Sequence, residues 1–363
     1  MTQERTKRTL GNIEEEPLWE KIDAKIGRAR SLARHGIRPK RAVNYLAVKA
    51  GQFTKPSKVL GRPVFALIEV TAHCNLKCPL CPTGAETLGR EKGHMSMETF
   101  ERVVQELGPY LMTINLTNYG EPYINRDIHK MVRLARDADI EVMIGSNGTL
   151  LHQNGGADAI IDSGLDFLYV SLDGTDQETY QKYRVNGKLD KVLGNLQDLM
   201  DAKRRRRAKT PFVELQFIVM KHNEHQLDEV RRIAHEIGVD RLSLKPVSFN
   251  NADWDKPEVV ADFRNNYIPT LPEFQLFNKT ENDSVEWKVP IMNKCPYVWY
   301  GTIVLWDGVV TTCCVDPRGD LAMGNLNDKP LMEIWNSKKY QAHRHTIVTD
   351  KVSIPICANC PGI

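Results

Sequence analysis

The chain contains no long hydrophobic run. Nowhere in its 363 residues does an apolar stretch reach the about 20 residues that a membrane-spanning helix needs. This argues against a membrane partner. Residues 2–16 are rich in charge and lack the apolar centre of a secretory signal, so the expected location is cytoplasmic. Charge of one sign is also scarce. Forty-nine Lys and Arg against 46 Asp and Glu leave a net +3, too little to argue for nucleic acid as a partner. The run Lys203-Arg204-Arg205-Arg206-Arg207 is a local exception at the end of a helical pattern, where cations suit the helix dipole. Disulfides are rare in the cytoplasm. The eight cysteines therefore read as metal-binding or catalytic groups.

Apolar residues are 41% and charged residues 26% of the chain, an ordinary soluble composition. Three cysteines stand in the run Thr71-Ala72-His73-Cys74-Asn75-Leu76-Lys77-Cys78-Pro79-Leu80-Cys81-Pro82, spaced Cys-x3-Cys-x2-Cys. Thiolates hold iron–sulfur clusters, and a cubane has four irons to satisfy. Three thiolates leave one iron open to a substrate or cofactor. A zinc site also uses Cys-x2-Cys pairs, but it needs a fourth ligand close by, and His73 is awkwardly placed beside Cys74.

Hydrophobic periodicity predicts strands at 65–70, 113–117, 140–145, 167–172, 213–220 and 241–246. Helical patterns fall between them at 97–107, 124–138, 156–163, 188–205 and 224–237. This alternation predicts an α/β fold with a parallel sheet and right-handed crossovers, in which ligands gather at the carboxyl ends of the strands. Residues 17–50 read as a basic amphipathic helix, with Leu18, Ile22, Ile26, Leu32, Val43, Leu46 and Val48 as its apolar positions. The polar clusters Asn118-Tyr119-Gly120-Glu121-Pro122, Ser146-Asn147-Gly148 and Ser171-Leu172-Asp173-Gly174 close the second, third and fourth strands, and the cysteine run follows the first. All four fall on one rim of the sheet.

The cysteine run resembles the cluster motif of the radical S-adenosylmethionine (SAM) superfamily, with Leu80 where that family usually has an aromatic residue. The resemblance implies that SAM chelates the open iron of a [4Fe–4S] cluster on Cys74, Cys78 and Cys81. It also implies that SAM cleavage gives a 5′-deoxyadenosyl radical, which abstracts a hydrogen atom from substrate. It implies an open partial (β/α)6 barrel of the TIM type, matching the six strands. Gly120 and Glu121 resemble the family's glycine-glutamate motif, which takes the amino group of SAM. Ser146 and Asn147 suit hydrogen bonds to a ribose. Ser171 resembles the family serine of the fourth strand. Arg184 resembles the arginine that receives the SAM carboxylate, since a guanidinium binds carboxylates with two parallel bonds. Adenine is expected against the fifth strand near Ile218 and Val219. A flavodoxin- or ferredoxin-type reductant is implied as a partner.

After a polar stretch at 249–289 without clear period, Cys295 is followed by Gly308 and Cys313 in a Cys-x12-Gly-x4-Cys pattern, and Cys357 and Cys360 close the chain. Segments 303–306 and 309–312 predict a β-hairpin turned by Asp307-Gly308, a favoured hairpin pair, and 331–344 predicts a helix. The pattern resembles the SPASM and shorter twitch extensions of radical SAM enzymes. It implies that Cys295, Cys313, Cys357 and Cys360 fully ligate one auxiliary [4Fe–4S] cluster. Cys314 is either a replacement ligand for Cys313, a buried filler, or a catalytic hydrogen-atom donor. The expected organisation is a helical extension at 1–60, a radical SAM core at 61–250, and a linker with a small hairpin-and-helix cluster domain at 251–363.

A fully ligated auxiliary cluster suits electron transfer. The resemblance to twitch dehydrogenases of aminocyclitol pathways implies oxidation of a small hydroxylated substrate (a cyclitol, sugar or nucleoside-like molecule) to a ketone or aldehyde, in antibiotic or other natural-product biosynthesis. An epimerase using Cys314 and a peptide maturase are alternatives, and a zinc- or iron-stabilised binding module is the non-enzymatic one. His94, Lys245, Asp173 and Tyr297 are candidates for the general base.

Overall fold

A computed structural model describes residues 38–248, 256–282 and 284–362. Most of the predicted amino-terminal helix lies outside these residues. Its remainder is the helix Pro39–Thr54, and its buried face differs from the one expected. Val48 is inside, but Val43 and Leu46 are each 68% exposed. Arg41, Asn44, Val48 and Gly51 face inward instead. Arg41 is drawn in by three carbonyls at the ends of two other helices, donating to Gly108 O and Ala138 O at 2.8 Å and to Asp139 O at 2.7 Å. A cation at helix carboxyl ends is favoured by the unpaired carbonyls there. Among the described residues, no helix is long and apolar enough to cross a membrane.

Six parallel strands follow in spatial order: β1 (Phe65–Ile68), β2 (Thr113–Asn115), β3 (Glu141–Ser146), β4 (Phe167–Ser171), β5 (Phe212–Val219) and β6 (Arg241–Pro246). Their crossovers carry the helices Met97–Leu107, Ile128–Asp137, Gly156–Asp162, Leu189–Arg206 and Leu227–Ile237. The first of these shows why such helices form. Ser96 caps it by accepting from Thr99 N–H at 3.1 Å. Phe100, Val103, Val104 and Leu107 then repeat at helical spacing and are all buried. They pack with Ile68, Ile114 and Ile144 of the sheet into the main core. The α/β partial barrel with a helical amino-terminal extension is thus borne out.

The carboxyl-terminal part is built onto this sheet. After a small hairpin of β7 (Phe277–Lys279) and β8 (Val285–Trp287), strands β9 (Gly301–Val304), β10 (Val309–Thr311) and β11 (Ala322–Asn325) extend it. β9 lies parallel to β1, from Phe65 opposite Gly301 to Ile68 opposite Val304. The sheet therefore has nine strands. The predicted hairpin is present, with Gly308 at φ +86 in its turn.

Two expectations need correction. The stretch 249–289 is not simply loop. Residues 249–255 and 283 lie outside the described set. The rest holds the helix Pro257–Asp262, a π turn at Phe263–Tyr267, and the β7–β8 hairpin. These elements are too short to show a period, and aromatic packing holds them. The Phe277 ring lies 4.3 Å from Trp287 and 5.3 Å from Phe263, centroid to centroid. The predicted helix at 331–344 is two helices, Leu331–Trp335 and Lys338–Thr349, because Ser337 starts the second by accepting from Tyr340 N–H at 3.2 Å.

Candidate functional site

The first cysteine loop leaves β1 and is anchored from every neighbouring rim segment. Glu121 N–H donates to His73 O at 2.8 Å and Lys77 N–H to Val185 O at 3.0 Å. Asn75 Nδ2 donates to Thr149 Oγ1 at 2.8 Å. Cys78 is buried, and Cys74 and Cys81 are partly so. Three donors point at sulfur. Leu76 N–H reaches Cys74 Sγ at 3.4 Å, Asn147 Nδ2 reaches it at 3.8 Å, and Arg184 Nη1 reaches Cys78 Sγ at 3.7 Å. Burial pushes the Cys74 thiol up to about 12, and Glu121, Cys78 and Cys81 add to this. A metal that displaces these protons relieves that strain. Among the described residues, no three His, Cys, Asp or Glu form a group tight enough for a single metal ion. Three thiols on one loop, approached by N–H donors and a guanidinium, suit a cluster that spreads its ligands and carries negative charge.

Gly120 is required where it stands. Its φ is +109, and a Cβ there would lie 2.2 Å from Thr71 O. The neighbouring Glu121 is 1% exposed, and its carboxylate is used internally. It accepts from Tyr123 N–H at 3.2 Å, Ser146 Oγ at 2.9 Å and Asn147 N–H at 2.7 Å. Burial pushes its pKa up to about 7 against those three donors. Of the about four lone-pair directions of a carboxylate, three are taken, so Glu121 chiefly ties the β2, β3 and cysteine loops together. Ser146 and Asn147 are equally committed. Ser146 Oγ also accepts from Gly148 N–H at 3.0 Å, and Asn147 Nδ2 donates to Asn75 Oδ1 at 2.9 Å.

Ser171 ends β4, half-buried and opposite Gln216 of β5. Arg184 is 12% exposed and pairs with the fully buried Asp173, through Nη2 at 2.5 Å and Nε at 2.6 Å. Burial alone would lower its pKa, but Asp173 and then Cys78 hold it well above the ordinary arginine value. Asp173 also accepts from Ile218 N–H at 2.8 Å. That engagement counts against Asp173 as a base. On β5, strand alternation separates the two residues expected near adenine. Ile218 packs against the apolar cluster that contains Cys78 and that Cys74 and Cys81 also border, whereas Val219 is fully buried in the main core on the other face.

The five remaining cysteines gather at the second site. Cys295 lies just before the short helix Tyr297–Tyr300. Burial raises its pKa, opposed by the backbone N–H groups of Tyr297 and Val298. Burial pushes Cys357 to about 12, with Cys295 and Cys360 adding, and Cys313 well up, with Cys314, Cys357 and Cys295 adding. The loop after β10 is organised by the buried Asp316, which accepts from Thr311 Oγ1 at 2.8 Å, Leu321 N–H at 2.9 Å and Asp320 N–H at 3.0 Å. Cys314 is exposed, yet burial pushes its thiol to about 12, with Cys295 and Cys360 adding.

Sequence reasoning missed three contributors. Asn75 braces Asn147. Glu69, fully buried, pairs with Arg90 at 2.5 Å, and Arg90 Nε donates to Pro317 O at 2.6 Å, so the loop after Cys81 is sewn to the loop after Cys313. Tyr119 lies between the sites. Burial holds its phenol well up, and Cys313, Cys314 and Cys81 all push in the same direction. The signal was its place in the Gly120-Glu121 motif.

Three thiols on one loop at the rim of a parallel sheet have the chemistry of an iron–sulfur site. Residues 68–234 match the radical SAM superfamily, and residues 295–361 match the SPASM iron-sulfur cluster-binding domain. The chain thus carries a radical SAM domain followed by an auxiliary iron–sulfur domain, and these two domains imply SAM and two iron–sulfur clusters as its cofactors. A tungsten-containing aldehyde ferredoxin oxidoreductase cofactor-modifying protein of Pyrococcus furiosus is 24% identical over 327 residues, 82% of this chain and 86% of that protein. An AdoMet-dependent heme synthase of Methanosarcina barkeri is 29% identical over 171 residues, 47% of this chain and 46% of that protein; the chain thus spans about half of that relative. Streptococcus suis SuiB bound to S-adenosylmethionine shares the fold at a TM-score of 0.59 and 15% identity, over 95% of this chain and 83% of that one.

Proposed function

We propose that the protein oxidises a small hydroxylated substrate by hydrogen-atom abstraction beside a hydroxyl group, passing the second electron to an auxiliary [4Fe–4S] cluster held by Cys295, Cys313, Cys357 and Cys360. The observation that carries this reading is the gathering of those four thiols, with Cys314, in one site. Four thiolates complete a cubane, and a complete cubane offers electron transfer rather than substrate binding. When bound, SAM and the two clusters supply the one-electron chemistry. The protein's own residues do the rest. Cys74, Cys78 and Cys81 hold the first cluster, and Asn147 and Arg184 direct N–H groups at its sulfurs. Glu121 locks the loops around it, and Ile218 offers an apolar wall.

The substrate loses one hydrogen atom from carbon, one proton from its hydroxyl and one electron, giving a ketone or aldehyde. Among the expected bases, His94 stacks on His73 beside the cysteine loop at 4.9 Å between ring centroids. Burial and His73 hold its pKa below the ordinary histidine value, so it is neutral and able to take a proton near pH 7. A flavodoxin or ferredoxin is the proposed electron donor.

The test is anaerobic incubation with SAM, a chemical reductant and a panel of cyclitols, sugars and nucleosides. One 5′-deoxyadenosine per oxidised product is expected. Deuterium gained from heavy water at a retained alcohol centre supports epimerisation through Cys314 instead. A second reading has its own support. The Pyrococcus furiosus relative aligns along most of both chains, which favours modification of a cofactor or a cofactor-bearing protein. Deoxyadenosine formation only with such a protein present would select it.

A further inference from the structure

Two lysines are buried among the described residues, Lys203 and Lys351. Lys203 is paired with Asp240 at 2.5 Å. Lys351, which has no exposed surface, is bonded differently. Its ammonium donates to Met292 O and Lys294 O at 3.2 Å and to Cys360 O at 2.5 Å. These carbonyls use all three of its N–H donors. Its own backbone N–H donates to Asn293 Oδ1 at 3.0 Å. Lys351 thereby grips the segment leading into Cys295 and the residue Cys360 at once. The approach is close enough that a Cβ on Gly362 would lie 2.1 Å from Lys294 O.

A buried ammonium held only by neutral carbonyls is costly unless a negative charge stands nearby. The auxiliary thiolates are that charge. Lys351 is tied to that site directly, by its bond to Cys360 O and by its bond to Lys294 O, the residue before Cys295. Nothing local signals this role, because Lys351 lies outside the cysteine pattern and reads as one surface lysine among many.

We propose that Lys351 sets the reduction potential of the auxiliary cluster, its buried positive charge stabilising the reduced form by offsetting the negative charge of cluster and thiolates. Cluster potentials respond to net charge and hydrogen bonding around the sulfurs. Reduction adds one negative charge, so a fixed cation nearby favours it and raises the potential. The inference rests on the reading that Cys295, Cys313, Cys357 and Cys360 hold the cluster.

The experiment uses reconstituted protein carrying Cys74→Ala, Cys78→Ala and Cys81→Ala, so that only the auxiliary cluster remains. Absence of about four irons per chain in this background refutes the ligand reading itself, before any lysine variant is made. With the cluster present, Lys351→Gln keeps hydrogen-bond donors and removes the charge. An EPR-monitored redox titration is expected to show the reduction equilibrium weakened about tenfold or more, equivalent to about 59 mV for one electron. An unchanged potential overturns the proposal. If Lys351→Gln melts as the parent does but no longer retains iron, the residue holds the cluster rather than tuning it, which overturns the proposal. If Lys351→Gln does not fold, Lys351→Arg decides. Recovery of iron and of the parent potential with the retained charge supports the role, and failure to recover them overturns it.

Discussion

Replacing Arg184 with methionine removes a charge that the rim uses twice. The guanidinium is 12% exposed and makes two bonds to a carboxylate with no exposed surface. It also reaches Cys78 Sγ. In Arg184→Met, Asp173 keeps Ile218 N–H and loses its countercharge. Breaking a buried pair from one side costs about 3–5 kcal/mol. With an unfolding entropy of about 2.1 cal/mol/K per residue, that becomes a fall in melting temperature of about 4–7 °C for a chain of this size. The assay is thermal unfolding of the reduced, cluster-free protein by circular dichroism under anaerobic conditions. The control is Arg232→Met. Arg232 bonds Glu229 and Glu236 on an exposed helix face, where ion pairs contribute about 0–1 kcal/mol. The double variant Arg184→Met/Asp173→Asn removes the stranded charge and leaves a carbonyl for Ile218 N–H. It is expected to recover half or more of the loss. A shift for Arg184→Met no larger than the control, or a double variant no better than the single, would refute the account of this pair as a buried, interdependent unit.

Glu121 gives the cluster-free protein a pH-dependent stability. Its folded pKa of about 7 lies above its ordinary value of 4.5, so its contribution is full below about 4.5 and is lost as pH rises through 7. The loss is about 3 kcal/mol at most. Urea unfolding between pH 5 and 8.5 should show the slope, and Glu121→Gln should flatten it; an unaltered slope contradicts the assignment. Cys295→Ser should lower reconstituted iron from about eight to about four per chain, and no loss would remove Cys295 from the ligand set. Cys314→Ala should retain full iron and substrate oxidation; loss of iron would make Cys314 the ligand in place of Cys313. Gly120→Ala should weaken SAM binding by isothermal titration, because the displaced loop carries Glu121 and the His73 carbonyl with it. Wild-type affinity would show that the close approach at Thr71 is not needed.

The rim was legible because a chain that alternates strand and helix leaves its polar residues at strand ends, where Cys74, Gly120, Ser146 and Ser171 were found. Cysteine spacing carried the chemistry for the same reason: ligands on one loop must be near in sequence. What escaped depends on distant partners. Val43 and Leu46 looked like the buried face of their helix, but the carbonyls that pull Arg41 inward belong to helix ends 67 to 98 residues away. Glu121 looked like a ligand-facing carboxylate because nothing local shows that Ser146 and Asn147 already occupy it. Val219 differs from Ile218 only in strand parity, which a shift of one residue reverses. The pairing of β9 with β1 joins segments far apart in sequence, and no periodicity announces it.

That pairing also makes the sheet a ruler. The first thiols follow β1, Cys295 precedes β9, and the two strands run parallel in fixed register. The gap between the two groups of cysteines is therefore measured along the strands, at about 3.3 Å per residue, and not by the long segment that joins them. Lengthening or shortening residues 249–289 would leave that gap unchanged. A slip of one residue between β1 and β9 would alter it and turn the strand's side chains to opposite faces. Exchange of the carboxyl-terminal unit between related enzymes should thus succeed only where this strand pairing is carried over with it.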